Sequence, residues 1–77
     1  MNIVYFEETD SLYIELIPEN PTGAWEISPG IIINYAESGQ TVGIEINQAS
    51  ERANLDSLKV GNFPGLVENI TKRNFTH

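Results

Sequence analysis

The sequence predicts an α+β domain: an antiparallel β-meander of four to five strands, followed by a C-terminal α-helix packed on one face. Three observations predict it. Short runs rich in Ile, Val, Tyr and Phe recur between residues 3 and 46, and β-branched and aromatic residues favour the pleated, half-buried surface of a sheet. Clusters of Gly, Pro, Asn and Ser separate these runs, which marks turns. After Ile46 the alternation stops, and residues 47–58 contain neither Gly nor Pro, as a helix requires.

The first strand is "IVYF", residues 3–6. The loop "EETD" (7–10) follows, where Asp10 is placed to accept a hydrogen bond from backbone two residues on. "SLYIELI" (11–17) alternates, so Leu12, Ile14 and Leu16 share one face and Ser11, Tyr13, Glu15 and Ile17 the other. Two prolines and a glycine make "PENPTG" (18–23) a turn. "AWEI" (24–27) resumes as a strand, and "SPG" (28–30) interrupts it with Pro29-Gly30, a pair suited to a type II turn. Three consecutive isoleucines in "IIINY" (31–35) resist helix and favour strand. "AESGQ" (36–40) turns through Gly39. "TVGIEI" (41–46) sets Val42, Ile44 and Ile46 against Thr41, Gly43 and Glu45. A helix is expected from Gln48 to Leu58, capped by Asn47 or Ser50, with Ala49, Ala53 and Leu55–Leu58 as a modest apolar stripe. "VGNFPG" (60–65) breaks it, and "LVENITKRN" (66–74) suggests a last helical turn with Leu66, Val67 and Ile70 facing inward. Connections this short join antiparallel neighbours.

The 77 residues make one domain, 1–77, with helix and tail over 48–77. A chain of this size has a small core and is often helped by disulfides, metal or oligomerisation. There is no cysteine, and the single histidine is His77, so disulfides are excluded and structural zinc lacks its usual ligands. Self-association as a homodimer is the aid that remains. Eleven acids against four bases give a net charge of -7. That charge repels phosphate backbones, and Lys72-Arg73 is too small a basic patch to reverse it, so no nucleic-acid partner is expected. A basic protein partner is favoured instead. No run approaches the roughly 20 apolar residues that span a bilayer, and "MNIVYFEETD" does not read as a signal peptide. The expectation is a cytoplasmic protein without a membrane partner, in which the two Asn-X-Thr sequons at Asn69 and Asn74 occur by chance.

The chain offers little to catalysis. A nucleophile needs an adjacent base, and His77 at the terminus is a poor one. Paired-carboxylate hydrolysis needs a cleft, and a small sheet bearing Glu15 and Glu45 on one face supplies none. Glu7, Glu8 and Asp10 are hard oxygen ligands, but they lack the alternate spacing and the glycine of a calcium loop. No enzyme activity, metal or cofactor is expected. The more suggestive feature is the face opposite Leu12, Ile14 and Leu16. It carries Tyr13, Glu15, Ile17, Ile32 and Glu45, and Val4 and Phe6 extend it. If the helix covers the first face, this one is the candidate interface; the bland alternative is that helix and C-terminal segment cover both faces. Trp25 reads as filling a core corner. The expected function is a non-enzymatic protein–protein interaction module, a homodimer or a binder of a small basic partner. The alternative is a small-ligand or divalent-metal protein using Glu15, Glu45 and the Glu7–Asp10 turn.

Tyr5, Glu7, Glu8, Asp10, Leu12, Tyr13 and Ile14 resemble the "Y-D-x-x-x-D-x-L-Y-I" opening of the bacterial family called domain of unknown function 2283. Gly30 to Tyr35, Gly39, Val42 to Ile46 and Ala49-Ser50 resemble its "G-V-I-V-D-Y…G-x-V-V-G-I-E-I-x-x-A-S" stretch. The resemblance covers residues 3–52. The chain departs from it at Phe6, Asn34 and Ala36, where the family often has an acid. The resemblance implies a small stand-alone protein, and an antitoxin-like role beside a small toxin-like partner.

Overall fold

Five strands form one antiparallel sheet in the computed structural model, which describes residues 1–70. They are β1 (Asn2–Phe6), β2 (Ser11–Glu15), β3 (Gly23–Ser28), β4 (Ile31–Tyr35) and β5 (Thr41–Asn47). All five fall on the runs expected from the sequence, shifted by a residue or two at their ends. Their spatial order is β1-β2-β5-β4-β3. The order departs from a simple up-and-down meander at one point. β3, β4 and β5 form successive hairpins, but β2 pairs with β5 and β3 forms the far edge. The connection of residues 16–22 therefore runs beneath one end of the sheet. It is pinned where Leu16 and Ile17 donate their N–H groups to the Val42 carbonyl at 2.7 and 3.3 Å, and Thr22 donates to that of Tyr35 at 2.9 Å.

The helix, α1, spans only Ala49–Arg52, and this corrects the expected span of Gln48 to Leu58. Ala53 is already extended, with φ -140 and ψ 153. The reason is local. Asn54 takes the Asp56 N–H on its side chain at 2.9 Å, a turn that competes with helix. The stripe beyond it is too weak to hold a longer helix by packing. Residues 54–70 contain no regular element, and every one of them is exposed. The described part of the last expected helical turn, 66–70, is irregular, and residues 71–74 lie outside the described residues.

The central strands β2, β4 and β5 are half-buried along most of their length. The few fully buried apolar side chains lie towards the two ends of the sheet. Among the described residues the buried apolar side chains are Ala36, Val42 and Ala49, and Val42 is 1% exposed. The four residues of α1 follow the end of β5 and are only a short piece of the helix expected to pack on one face.

Candidate functional site

Strand register sorts the side chains into rows that cross the sheet, because residues opposite one another share a face. On one face lies the row Ile3–Ile14–Ile44–Ile33–Trp25, running from β1 to β3. Beside it runs Tyr5–Leu12–Ile46–Ile31–Ser28. Val42 continues this apolar face along β5. Among the described strand residues it carries no charged side chain, and no other element lies across it. Trp25 is 67% exposed and Ile3 46%. Trp25, read from sequence as a core residue, stands at the open edge of this face.

The opposite face is mixed. Its central row is Val4–Tyr13–Glu45–Ile32–Glu26, and the next is Asn2–Glu15–Gly43–Asn34–Ala24. Tyr13, Glu15, Ile32 and Glu45 are thus brought together as expected, while Ile17 lies past the end of β2 in the loop. Tyr13 lies over Gly43, and a Cβ at that glycine would strike its ring and hydroxyl. The Asn2 side chain donates to Glu15 at 2.8 Å, and the Gly30 N–H donates to Glu26 at 2.9 Å. An open depression at one end of this face is lined by Thr9, Ser11, Glu26, Gly30, Glu45, Asn47 and Arg52.

A clamp joins the β1–β2 turn to α1 at that same end. Asp10 adopts a left-handed conformation, φ 53, and its carbonyl accepts the Ala49 N–H at 2.8 Å. Its carboxylate accepts the Ser50 N–H at 3.1 Å, the Ser50 hydroxyl at 2.7 Å and the Tyr5 hydroxyl at 2.8 Å. Asp10 therefore serves a partner 40 positions away rather than the backbone two residues on. The Ser50 hydrogen bonds, then that of Tyr5, hold the Asp10 carboxyl below the usual carboxylate range. The same bond to Asp10, aided by desolvation and neighbouring negative charge, pushes the Tyr5 hydroxyl up. Arg52 completes the end. It donates to the Asn47 carbonyl at 2.9 Å and to the Gln48 side chain at 3.1 Å, and it lies over Gly30, whose φ of 82 suits glycine. Sequence reasoning missed this clamp. Its signal was the pairing of the "TDSLYI" and "NQAS" blocks, which are far apart in sequence and adjacent here.

Residues 2–50 match the family described as Protein of unknown function (DUF2283). The chain belongs to this family. The DUF2283 match ends at Ser50, so it takes in all five strands and both halves of the Asp10–Ser50 clamp. Of the residues that carry the family resemblance, Tyr5, Asp10, Gly30, Ala49 and Ser50 hold this end of the sheet together. No curated protein and no solved structure matches the chain. Among the described residues, no group of three or more His, Cys, Asp or Glu could hold a metal ion, and no helix is long and apolar enough to cross a membrane.

Proposed function

We propose that this DUF2283 domain is a non-enzymatic protein–protein interaction module that self-associates and presents an acidic face to a basic protein partner. One observation carries the reading: a sheet face of isoleucines, leucine and aromatics across which no further helix or strand lies among the described residues. A β-sheet is stable in water when its apolar face is packed against another layer, and patches of this kind mark interaction sites. Multi-angle light scattering across a concentration series tests self-association, and a strictly monomeric mass at the highest concentration defeats it.

The basic-partner half of the proposal draws on the other face. Glu15, Glu45 and Glu26 stand in adjacent rows around Tyr13, and the whole chain carries -7. Complementary charge of this kind steers encounter and fixes specificity. An antitoxin-like role is the form of this reading that the family resemblance suggests. Capture with the tagged domain, followed by repetition with Glu15→Lys/Glu45→Lys, tests it. Retention of a basic protein by the wild type and its loss by the variant is the expected result; equal capture by both defeats it.

A further inference from the structure

We infer that the apolar face is the surface of self-association, with two copies packed face to face as an aligned β-sandwich and the row Ile3–Ile14–Ile44–Ile33–Trp25 near its centre. This rests on the self-association reading and specifies its surface, which lies opposite the Tyr13, Ile32 and Glu45 face that the sequence suggested. That suggestion assumed a long helix over Leu12 and Ile14. With only Ala49–Arg52 helical, the premise fails, and the uncovered apolar face is the other one.

Area supports a second copy as the occupant. Five strands spaced about 4.8 Å apart, with about three side-chain rows each, present a face of roughly 24 by 20 Å. Covering it buries on the order of 600 Å² per copy, about 1,200 Å² in all, at the lower end of standard specific interfaces. The face has apolar surface to lose: Trp25 at its β3 edge is 67% exposed and Ile3 at its β1 edge 46%.

Charge points the same way. A copy carrying -7 repels another, unless contact is made where the charge is not. The apolar face carries no charged side chain among the described strand residues, whereas Glu15, Glu26 and Glu45 lie on the reverse side. Face-to-face packing therefore puts these glutamates on the outside of the pair. Two identical sheets also share the same twist, so their inner faces match at the roughly 30° angle of aligned sandwiches. The chain's own segment 54–70 is irregular and leaves Leu58 69%, Leu66 82% and Ile70 80% exposed.

Trp25, the only tryptophan, reports on this face without any substitution. Its emission and iodide quenching are read over the concentration series used for light scattering. In the same series Ile44→Asp is compared with Glu45→Lys, neighbours on β5 that point to opposite faces. The expected result is a dimer whose Trp25 is blue-shifted and shielded, and reddens on dilution. Ile44→Asp then raises the dimer Kd by at least about 100-fold, and Glu45→Lys leaves it within a few-fold. A dimer in which Trp25 stays quenchable and Glu45→Lys abolishes association overturns the choice of face and leaves self-association standing. A wild-type monomer overturns both. Should Ile44→Asp fail to fold by circular dichroism, the Trp25 measurement on the unaltered chain decides alone.

Discussion

Val42→Ala is the sharpest test of where this fold keeps its small core. Val42 is 1% exposed, held where the 16–22 connection docks on β5. The substitution removes two methyl groups, worth about 0.8 kcal/mol each in transfer alone. Incomplete collapse of the vacated space raises the cost to roughly 2–3 kcal/mol. A domain of this length has a total stability of about 4–12 kcal/mol, so the loss is a large share. It should lower Tm by about 8–20 °C. Val4→Ala is the control, because it makes the same chemical change in a strand at a side chain 42% exposed. It should cost below about 1 kcal/mol. Urea unfolding followed by far-UV circular dichroism, at one fixed protein concentration because association adds to apparent stability, measures both. Equal costs within about 0.5 kcal/mol would show that Val42 is not the buried anchor and would refute the assignment of the core to the ends of the sheet.

Three other outcomes are expected. Gly43→Ala should destabilise by roughly 1–3 kcal/mol by displacing the Tyr13 ring, and Tyr13→Ala in the same chain should recover part of that loss; a double-mutant cycle with no coupling would mean that Tyr13 does not lie over Gly43. Folding holds the Asp10 carboxyl low, so its contribution is complete above the unfolded carboxylate pKa of about 3.9 and disappears as pH falls through the lower folded value; acid titration should show Asp10→Asn losing less stability than wild type across that window. The Tyr5 hydroxyl is shifted up, so its contribution is present below pH of about 10 and is lost as pH rises through the higher folded value; Tyr5→Phe should flatten the alkaline limb, and an unchanged limb would refute the Tyr5–Asp10 bond.

The five strands were legible because each alternates or runs β-branched between strong turn residues, and such signals are local. Gly30 and Gly39, with φ of 82 and 91, were legible for the same reason. The placement of β5 between β2 and β4 was not. It follows from the docking of Leu12 and Ile14 on Ile46 and Ile44, a pairing that no turn residue announces. The helix was overread because Ala49, Ser50 and Ala53 fit helical spacing, while the Asn54 side chain, which ends it, looks like any other polar residue. The Asp10–Ser50 clamp was visible only as two separate blocks. Tyr13, Glu15, Ile32 and Glu45 were correctly grouped by alternation, but which face lay open depended on the helix and could not be read from period alone.

The central position of β5 also bears on how the chain folds as it is made. β5 is the last of the five described strands to be synthesised, yet it supplies the seam between the β1–β2 hairpin and the β3–β4 hairpin. Until residues 41–47 arrive, the nascent chain can hold only two separate hairpins, each marginal in water by itself. β4–β5 closure across a short turn is then quick, whereas docking of β2 on β5 bridges a long stretch of chain and sets the pace. An interrupted chain lacking residues 41–47 leaves β2 and β4 as two bare apolar edges, the form in which this small domain is most exposed to aggregation.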